Sequence, residues 1–189
     1  YDDPEYEDRM AFFVKQLIEA DASGEFDEIQ VVGHSSGSIW ATEIVGRALL
    51  EKETLGTGAT QVNVLTLGSC IALMSATTLN KGYHEYLEAL GCAKNVDWLD
   101  VSERIDFAAN YMVNPVELLP GMEGRESSLP RLRRARFYKL FHEESFVDFK
   151  KDGYRVHFQF ISSSEKDGDY NYFRWTCGSS MLRQQLIKP

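Results

Sequence analysis

Gly33-His34-Ser35-Ser36-Gly37 is the stretch of this chain best suited to covalent chemistry. It has the spacing G-x-S-x-G. The β-branched run Ile29-Gln30-Val31-Val32 precedes it, and a helix-like pattern follows from Ser38. A serine at the tip of a sharp strand-to-helix turn crowds the residues two before and two after it, so only small side chains are expected at Gly33 and Gly37. Such a turn lifts the Ser35 hydroxyl above the sheet edge. It also aims the Ser36 N–H and the start of the next helix at the place where an oxyanion would form. A hydroxyl becomes a nucleophile only with a base to take its proton and a carboxylate to orient that base. Four histidines could supply the base: His34, His84, His142 and His157.

The elements that must position these groups read as strands alternating with helices. Met10, Phe13, Val14, Leu17 and Ile18 recur at spacings of three and four after Pro4, the mark of an amphipathic helix, and Asp21-Ala22-Ser23-Gly24 ends it. The serine turn leads into a helix over about 38–51, with Ile39, Ile44, Ala48 and Leu49 expected to face inward. Gln61 to Leu67 reads as the next strand, ending in Gly68-Ser69, and Lys81 to Leu90 as a helix closed by Gly91. Asn95 to Val101 is a third strand, followed by the loop Ser102-Glu103-Arg104-Ile105-Asp106. Met112 to Pro130, with Pro115, Pro120, Gly121 and Gly124, reads as a long surface loop, and Ala135 to Leu140 as a fourth strand. The apolar and aromatic segment Phe146 to Ile161 fits helix and strand equally. The tail carries Tyr172, Phe173 and Trp175, expected to pack on the sheet. Strands alternating with helices imply an α/β fold with a mostly parallel sheet and flanking helices, and residues 1–189 read as a single domain.

Composition narrows the function classes. A formal charge of −9 argues against a nucleic-acid or anionic-membrane surface. Arg131, Arg133, Arg134 and Arg136 form one basic cluster, read as a solvated face. The longest apolar stretch, near Leu65 to Met74, is too short to span a bilayer. Cys70, Cys92 and Cys177 lack metal-ligand spacing and are odd in number, so a reducing cytoplasm is the expected setting.

The strand, serine turn and helix together resemble the nucleophile elbow of the α/β-hydrolase superfamily, the serine esterases, lipases and their relatives. In that superfamily the chain order is serine, then acid, then histidine, at the C-terminal edge of the sheet. The resemblance therefore implies Asp106, beyond the strand NVDWLDV, as the acid, with Asp100 inside that strand as the fallback. Asp106 could instead cap a helix over FAANYM. For the base it implies His157, in YRVHFQF, with His142 after ARFYKLF as the alternative. The ending HFQ with GDY-x-YF is similar to bacterial α/β-hydrolase-like proteins that also carry Trp-x-Asp and a later aspartate, which favours His157. His34 is expected to pack beside the turn, and His84, which precedes any plausible acid, to lie on a solvated helix.

What the resemblance implies is an esterase-like serine hydrolase. It would act on a small-molecule ester or thioester through an acyl-enzyme on Ser35, with the Ser36 N–H as oxyanion donor and no metal or organic cofactor. Superfamily members carry several strands before the elbow, whereas 34 residues precede Ser35 here, so the expected fold is the C-terminal half of the superfamily's. A half-sheet would expose an edge strand and favour self-association. The alternative function is a non-catalytic hydrolase-like domain that binds a partner or small ligand, with Ser35 a relic.

Overall fold

A computed structural model of the chain describes residues 3–77, 81–122 and 127–187. Gly124, assigned above to the long loop, lies outside them. Four strands form one sheet, β1 (Glu28–His34), β2 (Gln61–Leu67), β3 (Val96–Ser102) and β4 (Arg131–Arg134). They lie side by side in chain order and every pairing is parallel. The architecture is α/β, with helices flanking an all-parallel sheet. β1 pairs only with β2, so its outer edge has no strand partner among the described residues.

The fourth strand is not the expected one. Ala135 to Leu140 forms a tight turn in which Phe137–Lys139 is a 3-10 helix, and the strand is the arginine run before it. Arg136 takes a left-handed backbone, φ 55°, which breaks any extended run there. Ala135, Phe137 and Leu140 are buried as turn anchors instead. Arginines suit an edge strand, where one row of backbone groups and much of each side chain face water. The solvated basic face of the sequence is thus part of the sheet.

Alternation along the strands builds two cores. One face, with Val62, Val64, Val96 and Trp98, packs against α1 (Pro4–Ser23), α2 (Gly37–Glu51) and α4 (Lys81–Gly91). The short α3 (Ile71–Ser75) adds Ile71 to this core. The other face, with Leu65, Leu67, Leu99 and Val101, is covered by the C-terminal third of the chain. There Phe146 to Ile161 resolves into α5 (Glu143–Phe149), α6 (Gly153–Phe158) and a 3-10 turn, Gln159–Ile161. After it come α7 (Tyr172–Cys177) and α8 (Leu182–Ile187). Tyr170 and Trp175 are buried on the sheet, while Phe173 faces outward.

Local chemistry fixes the helices. Asp3 caps α1 by accepting the Glu5 N–H at 3.0 Å, Pro4 opens the first turn, and Gly24 closes it with φ 66°. Met10, Val14 and Leu17 form its buried face, and Phe13, expected inside, is exposed. In α2 the buried face runs through Ala41, Val45, Ala48 and Leu49, with Ile39 and Ile44 at its margins. Gly46 lets α4 approach closely, since a Cβ there would lie 2.3 Å from the Tyr86 carbonyl oxygen. Arg47 ties the outer layer by bonding Glu7 at 2.7 Å and Glu43 at 2.6 Å.

Asp100 is a carboxyl group that this packing strains. It is buried in β3, its Oδ2 accepts the Thr66 hydroxyl at 2.7 Å, and Thr66 in turn accepts the Trp98 indole N–H at 2.9 Å. Burial pushes its pKa up to about 6, against hydrogen bonds that favour the charged form. A raised folded value means that stability is greatest below the unfolded carboxylate pKa and is lost as pH rises through about 6. Asp100→Asn, neutral at every pH, should therefore gain on the wild type by about 2–3 kcal/mol from pH ~4 to pH ~8 in urea melts. A stability difference that does not vary with pH would contradict this account.

Candidate active site

The serine turn is built as a strained element. Ser35 has φ 56°, a left-handed conformation costing a non-glycine residue about 1–2 kcal/mol. Neighbouring bonds hold it there. The Ser35 N–H donates to the Leu67 carbonyl at 2.9 Å, and the Ser35 carbonyl accepts the Ser38 N–H at 3.1 Å and the Ser38 hydroxyl as well. A Cβ on Gly33 would stand 2.5 Å from the Gly37 carbonyl oxygen and 2.6 Å from the Ser38 Cα, so only glycine fits. Gly37 differs from the expectation, because a Cβ there would meet nothing within 4 Å among the described residues. The crowding falls on the strand side of the turn alone. Ser36 is exposed at the head of α2, and its N–H has no acceptor among the described residues.

Two distant segments converge on the hydroxyl. His157, on α6, brings Nε2 to 2.8 Å from the Ser35 Oγ, and its Nδ1 lies 2.9 Å from Asp106 Oδ2. A carboxylate accepts only, so Nδ1 carries the proton and Nε2 turns its lone pair to the Ser35 O–H. Asp106 is buried, and its other oxygen, Oδ1, accepts the Ala108 N–H at 3.0 Å. That second bond closes a turn rather than capping a helix, since FAANYM stays irregular. Ser35, His157 and Asp106 thus form one continuous hydrogen-bonded chain across the C-terminal edge of the sheet.

The remaining candidates stand elsewhere. His142 is exposed as the N-cap of α5, with its backbone N–H on Glu165 at 2.9 Å. Asp100 points into the α2 side of the sheet and bonds Thr66, not a histidine. His84 lies on α4, where Nε2 donates to the Met74 carbonyl at 3.2 Å.

Two further residues shape the site. His34 Nε2 donates to the backbone carbonyl of His157 at 2.8 Å, and the two rings lie 4.8 Å apart. Burial presses the His34 pKa below its ordinary value, so the neutral ring with Nε2–H is favoured. The stability this lends is complete above the ordinary imidazole value and is lost as pH falls below it. Gly68, at φ 53°, ends β2, where a Cβ would stand 2.8 Å from the Phe160 ring and 3.2 Å from Asp106 Oδ2. The Gly-Ser pair closing the second strand is the only sequence sign of that role. The bond from His34 spans 123 residues and leaves no local sign. A cavity of about 470 Å³ opens beside α6, lined by Phe141, Tyr154, Phe158 and Gln159 among others. Among the described residues no three His, Cys, Asp or Glu side chains are grouped to hold a metal ion, and no helix is long and apolar enough to cross a membrane.

Compared with protein-family models, curated proteins and solved structures, the chain has no significant match to any of them. The geometry of the turn makes its own prediction. Gly33→Ala should destabilise the protein by more than about 2 kcal/mol, whereas Gly37→Ala should stay within about 1 kcal/mol of wild type. Denaturant titration of both variants checks the asymmetry, and equal losses would refute it.

Proposed function

We propose that this chain is an α/β-hydrolase-like serine hydrolase that cleaves an ester or thioester through an acyl-enzyme on Ser35. The observation that carries the reading is the hydrogen-bonded chain from the Ser35 hydroxyl through His157 to Asp106, anchored on a serine with φ 56°. A serine, a tautomerically oriented imidazole and a buried carboxylate in series are what nucleophilic acyl transfer requires. The four parallel strands, with the serine turn after β1 and the acid after β3, support the superfamily resemblance.

In this mechanism Ser35 Oγ attacks the carbonyl carbon while its proton passes to His157 Nε2. The imidazolium so formed is stabilised by Asp106 through Nδ1–H, and the Ser36 N–H donates to the tetrahedral oxyanion. Collapse breaks the bond to the alcohol or thiol, which leaves with the proton held on Nε2. Water then repeats the sequence on the acyl-enzyme and frees Ser35 with the carboxylic acid. His34 acts as a positioning residue by holding the backbone that carries the base.

A fluorophosphonate probe should label the wild-type chain and not Ser35→Ala, with the adduct located by mass spectrometry. Asp106→Asn should slow labelling by about 10⁴-fold, because the imidazole loses its orienting acceptor. A folded wild type that resists the probe would replace this reading with that of a non-catalytic binding domain. His34→Phe, which removes the N–H but keeps the ring, should slow labelling by about 10–100-fold. His34→Gln, which retains a donor, should recover most of the rate, and equal behaviour of the two variants would sink the positioning role.

A further inference from the structure

The chain is acidic overall, yet five arginines gather where β4 meets the tail: Arg131, Arg133, Arg134, Arg136 and Arg174. Ion pairs account for some of them. Arg131 lies 3.5 Å from Asp97, and Arg136 and Lys139 share Asp169 at 3.2 and 3.3 Å. Arg133 and Arg174 have no carboxylate partner among the described residues. Arg133 makes only a 3.5 Å bond to the Asp169 carbonyl and lies over the Trp175 ring, 5.2 Å from its centroid. Arg174 donates to the Gly168 carbonyl at 2.8 Å.

Both guanidinium groups line one cavity of about 410 Å³, completed by Gly168, Asp169, Gly178, Ser179, Ser180 and Gln185. The hydroxyls and backbone N–H groups of Ser179 and Ser180 find no acceptor among the described residues. Gln185 Oε1 is buried there without a donor. Asp169, which also lines the space, pairs its carboxylate with Arg136 and Lys139 at 3.2 and 3.3 Å. Burial bears down on the charged form of Arg133, the Asp169 carboxylate favours it, and Arg136 and Arg131 oppose it. Stacking on Trp175 explains how Arg133 is held, but not why a second guanidinium and two serines face the same space.

Two guanidinium groups and two hydroxyls around one space match a tetrahedral oxyanion, whose oxygens accept from both kinds of donor. We propose that this cavity binds a phosphate group, as the free ion or as a monoester, between the guanidinium groups of Arg133 and Arg174 and the hydroxyls of Ser179 and Ser180. The site shares no residue with the serine chain and does not depend on its reading.

Calorimetric titration of the full chain with inorganic phosphate, and separately with glycerol 1-phosphate, tests it at fixed ionic strength. Saturable one-to-one binding is expected, and the tighter of the two ligands identifies the source. Arg133→Gln and Arg174→Gln should each weaken it about tenfold or more. Arg131→Gln, whose ion pair lies outside the cavity, should change it by less than about twofold. Arg133→Lys keeps the charge on the strand but loses the planar fork, so it carries the test if Arg133→Gln does not fold, with weaker binding again expected. Failure of both ligands to saturate at tens of millimolar would overturn the proposal. So would equal losses in the Arg131 and Arg133 variants, the mark of diffuse surface charge.

Discussion

The left-handed backbone at Ser35 is the constraint on which the rest of the site depends. It turns the chain through a sharp corner between β1 and α2, and three bonds from Leu67 and Ser38 hold it there. With that corner fixed, consecutive residues diverge to separate tasks. His34 reaches the backbone behind the imidazole, Ser35 presents its hydroxyl to the imidazole itself, and Ser36 turns its N–H outward at the helix head. A relaxed φ at Ser35 would swing all three together. The strain of about 1–2 kcal/mol therefore fixes the direction of two side chains and one backbone N–H.

The sheet's task is to bring the partners within reach. Because every strand runs the same way, the loops after β1, β2 and β3 open at one edge, delivering Ser35, Gly68 and Asp106 to the same neighbourhood. The tail then crosses the opposite face and presents α6 at that edge. Its hold on the sheet is polar as well as apolar. Gln30 of β1 donates to the Trp175 carbonyl at 2.9 Å, and Glu28 accepts the Leu182 N–H at 2.8 Å. The packing that buries Trp175 thus also steadies the segment bearing His157.

Sequence reached the parts of this arrangement whose requirements are local. The serine turn is legible because strand, glycine, serine and helix must follow within a few residues. Asp106 and His157 rest on the superfamily resemblance, since nothing local to either residue singles it out. Other features were hidden for physical reasons. Arginines on an edge strand look like a solvated face, so the pattern places the fourth strand a few residues too late, in an apolar run that is a buried turn. Short helices such as α5 and α6 offer too few turns for a period to emerge. Gly37 fits the motif but is not crowded, because Ser38 and the Gly37 carbonyl press toward Gly33 instead.

The bond between Ser35 and His157 spans 122 residues, and that between His157 and Asp106 spans 51. Contacts of such separation close late, because loop entropy is paid before they reward it. A chain emerging from its N-terminus can pair β1 with β2 and set the strained corner while the residues of α6 do not yet exist. During that interval the serine stands without its imidazole, as an ordinary alcohol on an incomplete sheet. The order of the segments along the chain thus places the serine turn and all four strands ahead of the segment that brings the hydroxyl its imidazole partner.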